Sequence, residues 1–115
     1  METIKLNYSL ELPENYTGIV EYSNGTISYY LNGELHRENG AAIIRNDGSE
    51  EYCLNDKRHR EDGPAVIYSD GTINYYINDK DITKKVNDWI KENNIPEDYK
   101  LWTNSDKILF KLTFG

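Results

Sequence analysis

Two His-Arg pairs, His36–Arg37 and His59–Arg60, are the residues of this chain whose types and spacing could do chemistry. Histidine is the side chain that most often moves a proton near neutral pH, so each pair is a candidate for general acid–base catalysis. The neighbouring guanidinium offers a fork of N–H donors that matches a phosphate or a carboxylate. The pairs are therefore also candidates for binding a small nucleotide, with tyrosine rings to stack on its base.

Both pairs belong to an internal repeat of 23 residues. The stretch LNGELHRENGAA returns as LNDKRHREDGPA. The same shift relates three glycines, three asparagines and three tyrosines: Gly25, Gly48 and Gly71; Asn32, Asn55 and Asn78; Tyr29, Tyr52 and Tyr75. A residue duplicated by a constant shift is typical of a repeating scaffold. The third unit has Ile82 and Thr83 in place of the pair, a loss expected where a stack of repeats meets its cap.

The repetition favours a structural role for the pairs over catalysis or metal binding. We expect each imidazole to bond a carbonyl of its turn, and each guanidinium to bridge its turn to Glu38, Glu61 or Asp62. The two histidines and Cys53 lack the spacing of a zinc site. No phosphate-binding glycine loop and no nucleophile motif occurs in the sequence. The sequence therefore predicts no catalytic residue, no cofactor and no metal.

Each unit predicts two strands and two turns. A short apolar strand such as GIVEY precedes an Asx-Gly turn, and an alternating strand such as TISYYLN follows it. The expected fold is mainly β within the α+β class: an antiparallel β-meander of about seven strands, built from stacked hairpin repeats and capped by one or two C-terminal helices. The chain is predicted to form a single domain, 1–115. Its parts are an N-terminal capping strand at 1–16, three repeats at 17–80 and a helical cap at 81–115.

The N-terminus is predicted to begin the sheet as a half-unit. A shift of 23 residues aligns Ile4, Leu6 and Tyr8 with the second strand of the first repeat. The capping strand should therefore continue the antiparallel pattern.

The C-terminal third is predicted to cover the sheet. In DITKKVNDWIKENN the apolar residues recur at helical spacing, and Asp81 is a candidate N-cap. Residues 105–114 fit either a strand or a helix capped by Ser105, and the Ser-Asp pair favours the helix. In either form their apolar side chains are expected to cap the end of the sheet: Ile108, Leu109, Phe110, Leu112 and Phe114.

The charge and the cysteine content narrow the function classes. The formal net charge is −7, with 13 basic and 20 acidic side chains. This charge argues against direct nucleic-acid binding and against an anionic membrane surface. It is compatible with a partner protein that has a basic surface, and also with simple solubility.

The first ten residues carry no apolar run long enough for a signal peptide or a membrane span. Cys53 is alone, so no intrachain disulfide can form and a cytoplasmic location is expected.

The alternation of the second strands assigns the tyrosines to two faces. Tyr29, Tyr52 and Tyr75 fall on the expected core face, and Tyr30, Cys53 and Tyr76 fall on the other. An open face with tyrosine and arginine would suit partner recognition, but the same rings could pack across strands or beneath the helix. The candidate partner-binding residues are Tyr30, Arg45, Asp47, Glu50, Glu51, Glu61, Asp62, Asp70 and Tyr76. The candidate ligand-binding residues of the alternative are His36, Arg37, His59 and Arg60.

The second unit resembles a known repeat. The pattern NDKRHREDGPA, followed by a DG turn and paired tyrosines, is similar to the repeat of small proteins from tailed phages and some bacteria, which is related in shape to the MORN repeat. The ending VNDWIKENNIP…LFKLTFG looks like the helical tail that closes such proteins. The resemblance implies a twisted meander and a phage origin, and it implies no established catalytic activity.

Three functions follow as hypotheses. The first is a non-catalytic, phage-encoded inhibitor that binds a host protein, such as one of a defence system, with nucleic-acid mimicry as in anti-CRISPR proteins as one form. The second is a protein that sequesters a small nucleotide signal with its His-Arg turns and tyrosines. The third is a structural or assembly module that associates with a second copy through a sheet edge or the helix.

Overall fold

Short hairpins and two helices make up the chain in the computed structural model, which describes residues 2–6 and 11–115. The strands are β1 Thr3–Leu6, β2 Gly18–Tyr22, β3 Ile27–Leu31, β4 Glu34–Leu35, β5 Ile43–Ile44, β6 Glu50–Glu51, β7 Cys53–Leu54, β8 Lys57–Arg58, β9 Val66–Ile67, β10 Ile73–Asn74, β11 Tyr76–Ile77 and β12 Lys80–Asp81. The helices are α1 Thr83–Glu92 and α2 Asn104–Phe114, with a 3₁₀ turn at Tyr99–Leu101 between them. The predicted mainly β fold with antiparallel hairpins and a C-terminal helical cap is confirmed.

The hairpin tips of the three repeats are built alike. In each tip a side-chain oxygen accepts the N–H of the residue two positions on: Asn24 from Thr26 at 2.9 Å, Asp47 from Ser49 at 2.8 Å and Asp70 from Thr72 at 2.9 Å. The glycine after each Asx has a strongly positive φ: Gly25 at 93°, Gly48 at 91° and Gly71 at 91°. Glycine adopts this left-handed conformation without strain. The predicted Asx-Gly turns are therefore present in all three repeats.

Each repeat ends in a short returning strand that the sequence pattern does not reveal. A second turn with positive φ at two residues, such as Asn55 at 50° and Asp56 at 66°, folds β8 back on β7. In the same way β4 returns on β3 and β12 on β11. The prediction of two strands per unit and about seven in all is therefore wrong. Two-residue strands are too short to show alternation, so the pattern assigned them to turns.

The strands of the described residues assemble into one main sheet and two small ladders. The main sheet has eight strands in the order β1-β2-β3-β5-β6-β9-β10, with β4 paired to β3, while β7-β8 and β11-β12 form the ladders. β1 pairs parallel to β2, with Ile4 opposite Val20, so the first strand does not continue the antiparallel pattern. The predicted alignment of Tyr8 lies outside the described residues.

The largest buried cluster lies where the third repeat meets the helices. It consists of Tyr75, Ile82, Val86, Trp89, Ile90, Trp102 and Phe110, all no more than 7% exposed. Tyr75 stacks on Trp102 with ring centroids 6.0 Å apart and planes 8° from parallel. Ile73 and Ile77 pack against the same cluster, so the helices cover the sheet face that carries Tyr75. Tyr30 and Tyr76 belong to the opposite face.

The helix ends differ from the sequence expectation in detail. α1 begins at Thr83 with Ile82 at the N-cap position, while the Asp81 carboxylate accepts the Thr83 N–H at 2.9 Å. Residues 104–114 form a helix as predicted, but Thr103 rather than Ser105 is its N-cap. Thr103 and Asp106 exchange side-chain-to-backbone hydrogen bonds as a capping box. A threonine with an acidic residue three positions on satisfies two helix N–H groups, which Ser105 would not.

Removing the Tyr75 hydroxyl is expected to stabilise the protein. This hydroxyl is buried and has no hydrogen-bond partner among the described residues, and burial raises the pKa of Tyr75 to about 12. A buried unsatisfied donor costs roughly 1–3 kcal/mol. We predict that Tyr75→Phe raises the free energy of unfolding in urea by about 1 kcal/mol. The half-buried Tyr52, changed to Phe, is the control and should show no gain; a loss of stability in Tyr75→Phe would contradict the prediction.

Candidate functional site

Each arginine of the His-Arg pairs lies flat on a tyrosine of its own repeat. The Arg37 guanidinium carbon is 4.0 Å from the Tyr29 ring centroid, and that of Arg60 is 3.9 Å from the Tyr52 centroid. Both guanidinium groups also donate from Nη1 to a backbone carbonyl four residues on, at 3.1 Å in each case. Stacking and hydrogen bonding together fix the loop that joins one repeat to the next.

A glycine three residues after each arginine makes room for this arrangement. A Cβ placed on Gly40 would lie 2.9 Å from the Arg37 guanidinium carbon, and one on Gly63 would lie 3.1 Å from that of Arg60. A side chain there would require the guanidinium to shift slightly. The spacing His-Arg-x-x-Gly is therefore explained by close approach. We name residues 36–40 and 59–63 the first and second HR loops.

The histidines tie each repeat to the following one. His36 Nδ1 accepts the Asn55 N–H at 3.0 Å, and His59 Nδ1 accepts the Asn78 N–H at 2.9 Å. Within the first repeat, the Thr17 hydroxyl accepts the equivalent Asn32 N–H at 2.9 Å. The prediction that each imidazole bonds a turn carbonyl is wrong, because the turn of the next repeat presents an N–H instead. With Nδ1 accepting, a neutral imidazole carries its proton on Nε2.

The carboxylates of the two HR loops are used differently from one another. Glu61 accepts from His59 Nε2 at 3.0 Å, and Glu38 lies 3.7 Å from His36 Nε2. Asp62 accepts from Arg60 Nε at 2.9 Å, so the predicted bridge from arginine to carboxylate exists in the second loop. In the first loop, among the described residues, no carboxylate pairs with the guanidinium.

The third repeat replaces the pair by the helical cap. Thr83 takes the arginine position, starts α1 and accepts the Tyr75 N–H with its hydroxyl at 2.9 Å. Trp102 and Phe110 then contact the Tyr75 ring, with centroid distances of 6.0 and 5.8 Å. The expectation that loss of the pair marks the cap is confirmed.

The HR loops and α2 line an open groove of about 830 Å³. Helix α2 reaches the second loop, where Lys111 Nζ lies 3.4 Å from Glu61 Oε2. We name this groove the loop–helix groove. Its lining residues are Arg37, Glu38, Asn39, Gly40, Tyr52, Leu54, His59, Arg60, Glu61, Asp62, Asn104, Lys107, Ile108 and Lys111. Four of these side chains are basic and three are acidic, in a chain whose net charge is −7. The groove is therefore locally more basic than the molecule.

Helix α2 leaves several large apolar side chains in solvent. Phe110 is fully buried, but Ile108 is 60% exposed, Leu109 40% and Leu112 79%. The expectation that all these residues cap the sheet is wrong for the last three. At 100° per residue, Ile108 and Leu112 lie on the side of the helix away from Phe110. We name Ile108, Leu109 and Leu112 the apolar stripe. Lys107, Ile108 and Lys111 line the groove, which the sequence pattern did not indicate.

The acidic candidates do not share one surface. Asp47 and Asp70 are at the hairpin tips, where backbone N–H groups lower the pKa of each carboxyl. Glu51 pairs with Arg45, and Glu50 is half-buried in β6. Glu61 and Asp62 lie in the second HR loop with His59 and Arg60. The candidates thus fall into two groups: one on the hairpins of the second and third repeats, where the Ser69 hydroxyl donates to Asp47 at 3.5 Å, and one in the second HR loop.

The aromatic candidates lie on the sheet face opposite the helices. The Tyr30 and Tyr22 hydroxyls are 3.5 Å apart, and burial raises the pKa of Tyr30. Tyr76 carries the Arg58 guanidinium 4.2 Å above its ring. Cys53 is buried on this face, and burial raises the pKa of its thiol to about 12, which disfavours a reactive thiolate. This face is largely occupied by contacts within the sheet.

Comparison with known proteins gives no assignment: no protein-family model, no curated protein sequence and no solved structure matches the chain. In the described ranges, no helix is long and apolar enough to cross a membrane. Residues 2–6 and 11–115 also contain no group of three or more His, Cys, Asp or Glu side chains placed to hold a metal ion.

Removing the His59 imidazole is expected to loosen the second and third repeats from each other. His59→Ala leaves the Asn78 N–H without its acceptor, and we predict a loss of about 1 kcal/mol in the free energy of unfolding. His59→Asn keeps an oxygen near the Nδ1 position and should recover part of that loss. Urea denaturation of both variants measures the difference; equal stabilities would show that the accepted hydrogen bond contributes nothing.

The stability should fall at acid pH through Glu61. The hydrogen bond from His59, helped by Lys111, lowers the pKa of Glu61 below its ordinary value of 4.5. A lowered folded-state pKa adds stability above the ordinary pKa and loses it as pH falls through the lowered one. We therefore predict that Glu61→Gln flattens the decline of the melting temperature below pH 4.5. Glu97→Gln, at an exposed position, is the control; parallel declines in the Glu61→Gln variant and the wild type would contradict the prediction.

Proposed function

We propose that this chain is a non-catalytic binding protein that holds a segment of another protein along α2 and the loop–helix groove. The observation that carries the proposal is the apolar stripe, which stands in solvent beside a groove of about 830 Å³. Soluble monomers seldom leave such side chains together on one helix without a use. A helix with an unpartnered apolar side next to a groove is a common peptide-docking arrangement.

The use of the His-Arg pairs supports binding over catalysis. Both imidazoles accept backbone N–H groups through Nδ1 and face glutamates through Nε2. A general base needs a lone pair that is free to take a proton from a substrate. The pairs instead hold successive repeats together, and the duplicated geometry serves the scaffold equally at both positions.

The charge of this face indicates the chemistry of the partner segment. Lys107 and Lys111 flank the apolar stripe, and Arg37 and Arg60 line the far side of the groove. Among the described residues, Lys107 has no ion pair and Arg37 pairs with no carboxylate. A partner segment with spaced apolar residues and one or more carboxylates would complement this face.

The biological setting follows from the repeat resemblance. The resemblance implies a phage origin, and the binding role proposed here is compatible with the hypothesis of an inhibitor that acts on a host defence protein in the host cytoplasm. A basic host partner and nucleic-acid mimicry stay predictions, because the acidic candidates are separated and mostly engaged locally. The groove supports a partner that is apolar and acidic where it meets α2.

Peptide selection tests the proposal even while the partner is unidentified. A displayed library of random 12-residue peptides is selected against the immobilised protein. We expect enrichment of peptides with apolar residues three or four positions apart and with Asp or Glu beside them. The double variant Ile108→Asp/Leu112→Asp should bind the selected peptides at least about tenfold more weakly, since it removes two apolar anchors.

The matched control changes an exposed ring elsewhere. Tyr68 is 47% exposed outside the groove, and Tyr68→Asp should leave peptide binding unchanged. Urea denaturation verifies that the double variant keeps its fold. Enrichment of basic peptides, equal binding by the double variant, or light scattering that shows a dimer lost in the double variant would overturn the proposal.

A further inference from the structure

The two HR loops differ at one position that decides the charge balance of their arginines. Arg60 stacks on Tyr52, donates from Nη1 to the Pro64 carbonyl and donates from Nε to Asp62. Arg37 makes the same stack on Tyr29 and the same Nη1 bond, to the Ala41 carbonyl. The residue equivalent to Asp62, 23 positions earlier, is Asn39.

This single difference leaves the Arg37 guanidinium without an anion. No carboxylate lies within 4 Å of it among the described residues, because the adjacent Glu38 lies against His36 instead. Arg37 Nε likewise has no hydrogen-bond partner in the described part of the chain. The second loop therefore holds its own carboxylate on the guanidinium edge, and the first loop offers the same edge unoccupied by any acidic side chain.

The open edge belongs to the loop–helix groove. Arg37, Asn39 and Lys107 all line the loop–helix groove. One face of the guanidinium is fixed on Tyr29, so the group is held in place before any ligand arrives. Fixed donors cost less entropy on binding than a mobile side chain does. The Asn39 amide adds a neutral donor beside the cation.

We infer that Arg37 is an oxyanion-binding site in the loop–helix groove, taking a carboxylate or phosphate of a ligand at the edge that Asp62 occupies on Arg60. The pair Arg60–Asp62, at 2.9 Å, is the internal template for the geometry. A planar guanidinium matches both kinds of oxyanion. Of the four residues expected to bind a nucleotide, only Arg37 has this edge available. The inference does not depend on a protein partner for α2.

Two reciprocal substitutions test the site. Asn39→Asp supplies the missing carboxylate to Arg37, and Asp62→Asn removes it from Arg60. The probes are sodium acetate and inorganic phosphate, titrated at constant ionic strength while the Nε–H signals of Arg37 and Arg60 are followed by NMR. In the wild type we expect a saturable shift at Arg37 and little change at Arg60.

The variants should exchange this behaviour. Asn39→Asp is expected to weaken anion binding at Arg37 about tenfold, because a charge-assisted hydrogen bond is worth roughly that factor. Asp62→Asn should create a response at Arg60. The tighter of the two probes identifies whether the site favours a phosphoryl or a carboxylate ligand. Thermal melting checks that both variants fold.

Three results would contradict an anion site at Arg37. A linear, unsaturated shift at Arg37, or equal shifts at Arg37 and Arg60 in the wild type, would show only general ion effects. An undiminished response in Asn39→Asp would place the anion elsewhere. Loss of peptide binding to the apolar stripe, by contrast, would leave this result untouched, since neither probe contacts a hydrophobic side chain.

Discussion

The stack of each arginine on the tyrosine of its own repeat is the interaction on which the architecture depends. Arg37 lies on Tyr29 and Arg60 on Tyr52, each within about 4 Å. The guanidinium closes the loop by bonding a carbonyl, and the nearby glycine leaves room for it, since a Cβ there would lie 2.9 or 3.1 Å from the guanidinium carbon. A small chain thereby orders its connections with polar and aromatic contacts, where a larger domain would use a deeper core.

The helical cap is understandable as the replacement for that stack. At Tyr75 the arginine is gone, and Trp102 and Phe110 contact the ring instead. The cap therefore converts a polar, repeated contact into an apolar cluster that needs no further repeat. Its cost is that α2, held mainly by Phe110 and Phe114, turns Ile108 and Leu112 outward. The most distinctive surface of the molecule arises from how the stack is ended.

Much of this fold was accessible from the sequence, since the 23-residue shift and the Asx-Gly pairs mark the hairpins directly. The returning strand at the end of each unit was not, because two-residue strands leave no periodic signal. The roles of the histidines could be predicted only in part. Repetition indicated that they are structural, but whether each imidazole meets a carbonyl or an N–H group depends on backbone turns with positive φ. The groove could not be predicted, because it joins loops and a helix that are distant along the chain. The difference between Asn39 and Asp62 was visible in the letters, but its meaning required the position of the guanidinium.

The imidazole ties also give the repeat array a polarity. His36 and His59 each offer an acceptor to the unit that follows, while Asp56 and Asp79 accept N–H groups from the unit before. A complete extra unit spliced between existing ones would find both its acceptor and its donor already provided. Duplication of 23 codons would therefore lengthen the protein by one unit while the contacts at both ends of the array stay the same.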